Sequence, residues 1–232
     1  MSDEQTRLKQ LAADAALEQV RSGMVVGLGH GSTALLFVRG LARRVASGEL
    51  TGIVGVACAL AMESEARSLG LNVASLDQHP VMDLTVDGAD EVDPELNLIK
   101  GGGGALLREK VVAQASKREI IIVDESKLSG RLGEKWALPV EVVPFALRPF
   151  SDYVASLGAE PVLRRGRDGE PFMTDQENYI LDCRFGPMDD PARVARALEG
   201  RAGMVEHGLF LGLADEVIVA GAGGIRRLSR EG

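Results

Sequence analysis

Apolar residues along this chain follow two rhythms, and their alternation sets the expected architecture. Leu8, Leu11, Ala12, Ala15, Ala16 and Val20 recur at helical spacing behind Ser2 and Gln5, which have capping-box separation, and Ser22-Gly23 ends the pattern. Short apolar runs at residues 24–28, 52–57, 83–86 and 119–123 read as buried strands. Between them, residues 33–46, 61–69 and 105–117 read as helices. Strands alternating with helices predict a mostly parallel sheet covered on both faces.

The texture changes after Ser129-Gly130-Arg131-Leu132-Gly133. A strand at 140–143, a helix at 148–157 and a strand at 161–165 lead through the Asp168-Gly169 turn to a longer strand at 179–183. A helix opened by Asp190-Pro191 and a strand near Met204-Val205 follow. This β-α-β-β-α-β order is that of a split βαβ, ferredoxin-like unit. The apolar run at 215–221 reads as one more strand, returning to the first sheet. The expected division is a larger first domain of residues 1–131 and 208–232 and a small α/β domain of residues 132–207.

An apolar fraction of 45% over 232 residues fills a substantial core. The net charge of -8 argues against nucleic acid as a partner, because binding phosphate backbones requires a basic surface. Cys58 and Cys183 have no paired spacing, so no disulfide framework or thiolate metal site is expected, and a reducing cytoplasm fits. No apolar run approaches the roughly 18 residues that span a bilayer, which points to a soluble, unexported chain with no membrane partner. His30, His79 and His207 lack ligand spacing and the carboxylates lack a calcium-loop pattern, so neither a metal nor a cofactor is expected.

The chemistry-bearing residues lie at the expected carboxyl ends of strands, where open parallel sheets bind ligands. Asp87-Gly88-Ala89-Asp90 follows one strand, Asp124 another, and the loop Gly27-Leu28-Gly29-His30-Gly31-Ser32-Thr33 a third. That loop has Ser32 where a dinucleotide fingerprint has its third glycine, and it lacks a Walker lysine. Its amides and hydroxyls suit a single phosphate; equally, it makes a plain strand-to-helix turn. Lys100 precedes Gly101-Gly102-Gly103-Gly104, a run that sacrifices backbone entropy and fits close approach of a ligand. Glu109 falls on the helical face of Ala105, Leu106, Val112 and Ala113, with Lys110 and Gln114 on a more polar side. Apolar surroundings would raise its pKa towards the range of a general base. A glutamate paired with a lysine is the structural alternative.

With these residues in view, the chain resembles the type A ribose-5-phosphate isomerase family nearly end to end. The motifs are a glycine loop followed by Ser32-Thr33-Ala34, Asp87-Gly88-Ala89-Asp90-Glu91, Lys100-Gly101-Gly102-Gly103 with Glu109, Val123-Asp124-Glu125-Ser126-Lys127, and Glu206-His207-Gly208-Leu209-Phe210. The resemblance implies a Rossmann-like domain with a small α/β domain, assembled as a homodimer or homotetramer. It also implies metal-free interconversion of ribose 5-phosphate and ribulose 5-phosphate through an enediolate. Glu109 would then be the base, Asp87 would assist ring opening with Asp90 in support, and Lys100 with the amides of Gly101, Gly102 and Gly103 would stabilise enediolate charge. His30, Gly31, Ser32, Thr33, Gly88, Ala89 and Lys127 would contact substrate, and Lys9 would reach the phosphate.

Two departures from the family pattern stand out: His30 replaces a usual threonine, and Cys58-Ala59-Leu60-Ala61-Met62 replaces a stretch that usually bears hydroxyls. Both remove hydroxyls from the expected pocket rim. The alternatives are a non-catalytic sugar-phosphate sensor, for which no DNA-binding segment or basic stripe is visible, and an isomerase or transferase acting on a related sugar phosphate.

Overall fold

The computed structural model describes residues 3–230. In chain order the elements are α1 (Asp3–Leu17), β1 (Val25–Leu28), α2 (Ser32–Ala46), β2 (Val54–Ala57), α3 (Leu60–Ser68), β3 (Leu84–Asp87), β4 (Glu91–Val92), β5 (Leu98–Ile99), α4 (Leu106–Gln114) and β6 (Glu119–Asp124). They continue with β7 (Leu138–Val142), α5 (Leu147–Ser156), β8 (Glu160–Leu163), β9 (Tyr179–Arg184), α6 (Pro191–Glu199), β10 (Met204–His207), β11 (Leu209–Phe210), β12 (Glu216–Gly221) and β13 (Gly224–Ser229). The expected cap at Ser2 lies outside the described residues.

The chain divides into two compact units. The first runs through Ala89 and takes in Arg108–Lys127 and the segment from Gly212 onward. It holds a six-stranded sheet in the order β13-β12-β6-β3-β1-β2. Five strands are parallel, and only β13 runs antiparallel, against β12. Strands β3, β6 and β12 are buried at every position, the expected state of a parallel sheet covered on both faces. Gly40 lets α2 approach α1, since a Cβ there would lie 2.3 Å from Leu17 Cδ1. The chain leaves β1 toward β2 on one side, while β3 continues the sheet on the other. A topological switch point therefore falls between the ends of β1 and β3.

The second unit comprises Asp90–Leu107 and Leu128–Leu211. Its four-stranded sheet, in the order β10-β7-β9-β8, is antiparallel throughout. That order is the ferredoxin-like arrangement expected from the β-α-β-β-α-β pattern. Phe150 and Val154 of α5 and Ala195 and Leu198 of α6 pack with Val140, Val142, Leu181 and Cys183 into its core.

Two features differ from the sequence reading. Residues 90–107, expected with the first domain, group with the second unit, because β4 and β5 form a small antiparallel sheet with β11. These strands have two residues each and carry no readable period. Strand β13 was likewise unread: its pattern is mostly exposed and includes Arg226 and Arg227, as suits an edge strand. Arg227 instead anchors to Glu216 Oε1 at 2.9 Å.

Candidate active site

In the first unit, Asp87 ends β3 and is almost fully buried, at 1% exposure. Its Oδ1 accepts the His30 N–H at 2.9 Å and the Gly88 N–H at 2.7 Å, so one carboxylate ties together the loops that leave β1 and β3. Its Oδ2 lies 3.8 Å from Cys58 Sγ, which also reaches Leu28 O at 3.1 Å. Glycine is required at position 29, where a Cβ would come within 2.3 Å of Asp87 Oδ1. Gly88 and Ala89 are half-buried.

Helix α2 opens beside this carboxylate. Gly31 occupies its N-cap with φ 109°, a conformation only glycine adopts easily, and no side chain caps the helix. Its first-turn amides, with the exposed Ser32 and half-buried Thr33, present donors of the kind that suit an anion. Lys9, buried on α1, donates from Nζ to Ser32 Oγ at 2.9 Å. Burial is the chief cause holding the Lys9 ammonium below its ordinary range; Asp124 opposes that effect and the Lys127 charge adds to it. Asp124, at the end of β6, accepts the Ser126 N–H at 3.0 Å and also the Ser126 hydroxyl, and Lys127 closes the following short turn. His30 keeps its Nδ1 buried, with no hydrogen-bond partner among the described residues.

Glu109 lies on α4 at 4% exposure, with Val112 and Ala113 of the same helix also buried. Lys110 differs from expectation. It is 6% exposed, because it sits four residues after Leu106 and three before Ala113, both buried, whereas Val111 and Gln114 face outward.

In the second unit, Asp90 Oδ2 accepts the Gly102 N–H at 2.7 Å. Lys100 is buried at 2% exposure, donates its backbone N–H to Gly208 O at 2.9 Å, and places Nζ 5.5 Å from the centre of the Phe210 ring. Glycine at 101, 102 and 104 has architectural causes beyond ligand access. Gly101 and Gly104 have φ of 101° and 84°, and a Cβ at Gly102 would lie 2.6 Å from Asp90 Oδ1. Gly103 is exposed. Arg164 and Asp182, which hold this loop, are not singled out in the sequence reading, and Phe210 figures there only as the end of a motif. The β8–β9 hairpin register, pairing Leu163 with Leu181, was the one signal that could have brought Arg164 and Asp182 together. Among the described residues no group of three His, Cys, Asp or Glu side chains could hold a metal ion, and no helix is long and apolar enough to cross a membrane.

A mostly parallel sheet with acids and an uncapped helix at its strand ends, in a chain that also holds a ferredoxin-like unit, is an α/β arrangement suited to binding small anionic ligands. Residues 54–224 match the family model "Ribose 5-phosphate isomerase A (phosphoriboisomerase A)". A ribose-5-phosphate isomerase A of Desulfatibacillum aliphaticivorans is 57% identical over 224 residues, 97% of each chain. One from Chloroflexus aurantiacus is 54% identical over 95% of this chain and 92% of its own. A solved D-ribose-5-phosphate isomerase in complex with phospho-erythronic acid superimposes with a TM-score of 0.95 at 38% identity, covering 99% of this chain and all of the other. The chain belongs to the ribose-5-phosphate isomerase A family. It is an aldose-ketose isomerase, and its reaction is the interconversion of ribose 5-phosphate and ribulose 5-phosphate.

Proposed function

We propose that the isomerisation runs through an enediolate, with Glu109 as the base that carries the proton between C2 and C1 of the opened sugar. The observation that carries this reading is a carboxylate at 4% exposure whose neighbours at helical spacing, Leu106, Val112 and Ala113, are apolar and buried. A carboxylate withdrawn from bulk water and held on a helix is placed to take a proton directly from a bound substrate. Asp87 assists ring opening and hydroxyl proton transfers, with Asp90 in support. Lys100 and the amides of Gly101, Gly102 and Gly103 stabilise the developing oxyanion. The phosphate is held by the first turn of α2, with Gly31, Ser32 and Thr33, by Lys9 and by Lys127, while His30, Gly88 and Ala89 contact the sugar phosphate. The uncapped amides of α2 and the lysine bound to Ser32 support this assignment.

The 38% identical isomerase solved with phospho-erythronic acid adds support, because a sugar-acid carboxylate carries negative charge as an enediolate does. The reaction needs no metal: it moves protons, and general base and oxyanion donors suffice for that. We place the enzyme in the cytoplasm as a homodimer or homotetramer, without nucleic acid or membrane partners. The acidic net charge, the 98% exposed Phe145 and the exposed Met173 and Val162 of the second unit support this. The deciding experiment follows ribulose 5-phosphate formation from ribose 5-phosphate with and without a chelator, alongside light scattering of the purified chain. Turnover unaffected by chelator is expected; turnover that disappears and returns with added divalent cation would refute the metal-free mechanism.

A further inference from the structure

The glycine run after Lys100 is held by a side chain far away in sequence. Arg164, just past β8, donates from Nη1 to Gly101 O at 2.8 Å and to Gly102 O at 3.2 Å. Its remaining nitrogens grip Asp182 on β9, Nε to Oδ2 at 2.9 Å and Nη2 to Oδ1. The Arg164 side chain is only 13% exposed. The Phe172 ring lies 6.0 Å from the guanidinium carbon and also occupies the space that a Cβ at Gly104 would need, 2.4 Å away. One guanidinium thus joins two loop carbonyls to a sheet carboxylate, a task for its planar fork of five donors.

A trans peptide is planar and its N–H points opposite to its C=O, so fixing a carbonyl fixes the next amide. The peptide between Gly101 and Gly102 is clamped at both ends, by Arg164 on the carbonyl and by Asp90 Oδ2 on the N–H. In the peptide between Gly102 and Gly103, the carbonyl is held by Arg164 and the Gly103 N–H is therefore directed away from it. The Gly104 N–H is already given to Gly101 O at 3.0 Å. Of the amides at 102, 103 and 104, that of Gly103 has no protein acceptor among the described residues.

We propose that Arg164 is a positioning residue of the isomerase reaction: by holding Gly101 O and Gly102 O it aims the Gly103 N–H at the oxygen on which negative charge develops. This rests on the enediolate reading, in which the loop amides stabilise that charge. Glycines have little conformational preference of their own, so without Arg164 the loop spreads over several backbone conformations and the donor loses its aim. Substrate binding through the phosphate does not depend on that aim, whereas the transition state does.

The test is steady-state kinetics with ribose 5-phosphate on Arg164→Ala, Arg164→Lys and Asp182→Asn, with Lys100→Ala in parallel and circular dichroism on each. Arg164→Ala is expected to lower kcat about 10- to 100-fold while KM stays within about threefold, the signature of a lost transition-state interaction. Arg164→Lys is expected to recover part of the loss, and added guanidinium ion to raise kcat of Arg164→Ala but not of Lys100→Ala. Wild-type kcat in a folded Arg164→Ala, or a loss confined to KM, overturns the proposal. Should Arg164→Ala not fold, Asp182→Asn decides: it takes away the charged partner that holds the guanidinium against the loop carbonyls, so kcat should fall in the same direction, and an unchanged kcat there is equally fatal. Normal turnover by Lys100→Ala would instead sink the enediolate reading beneath it. An impaired Lys100→Ala beside a normal Arg164→Ala removes the positioning role alone.

Discussion

The side chain of Asp87 accepts the backbone N–H of His30 at 2.9 Å, joining the end of β3 to the loop leaving β1 across the switch point of the sheet. The same oxygen takes the Gly88 N–H at 2.7 Å. An asparagine placed with its carbonyl oxygen on these donors keeps both bonds but cannot carry charge or shuttle a proton. Asp87→Asn is therefore expected to retain the wild-type melting temperature within a few degrees and to lose turnover by about 10²- to 10⁴-fold. Asp87→Ala removes the acceptor of two partly buried N–H groups and is expected to cost about 1 kcal/mol or more in addition. Thermal melts and kcat of the pair separate the two effects.

Glu109→Gln removes the proposed base from a buried helix position with almost no change in size. Turnover is expected to fall by about 10²-fold or more while the far-UV spectrum and substrate binding persist. Exchange of solvent deuterium into C1 or C2 of the pentose phosphate should cease in parallel. Near-wild-type exchange in this variant would remove Glu109 as the base.

If Lys9 holds the phosphate as proposed, it links phosphate affinity to pH. Burial first, and the nearby Lys127 charge second, hold its ammonium below the ordinary lysine range, with Asp124 working against them. As pH rises through that lowered value the amine loses its proton and the phosphate loses a cationic partner, so KM for ribose 5-phosphate should climb on the alkaline side with kcat little changed. Lys9→Arg keeps its charge throughout this range and should abolish the climb. An identical pH profile of KM in both proteins would show that Lys9 does not contact the phosphate.

Glu141 makes a separate prediction about stability. It is fully buried on β7, its Oε1 accepting from Thr174 at 2.8 Å and Asn178 at 2.9 Å. Burial raises its pKa above 4.5; the two hydrogen bonds oppose the rise, and the charges of Glu206 and Asp175 add to it. Folding therefore favours the protonated acid. Its contribution is fully present below the unfolded value near 4.5 and is lost as pH rises through the higher folded value. Glu141→Gln keeps an oxygen for Thr174 and Asn178, so urea unfolding should show the variant gaining on wild type between pH 4.5 and pH 8. A constant difference across that range would contradict the assignment.

Local pattern alone put several of these residues at strand ends, where the structure has them. Asp87, Asp124 and the loop from Gly29 to Thr33 follow apolar runs, and a strand that is buried on both faces must end where such residues begin. Glu109 stood out through helical periodicity, whereas Lys110 was assigned to the wrong face because charge in a side chain says little about which neighbours enclose it. The motif resemblance supplied the reaction, which residue types by themselves left open between enzyme and sensor.

Other relationships depended on the folded chain. Lys9 meets Ser32 across 23 residues and Arg164 meets Asp182 across 18, and no periodicity encodes a pair between separate elements. The glycines after Lys100 read as a bed for ligand; positive φ at Gly101 and Gly104 and the Asp90 carboxylate against Gly102 gave them a conformational cause. Sequence determined the alternation of elements and the chemical groups at the strand ends, because both are short-range consequences of hydrophobic spacing. Tertiary structure decided which backbone amide is held by which distant side chain, because that depends on strand register and packing that only the assembled sheets define.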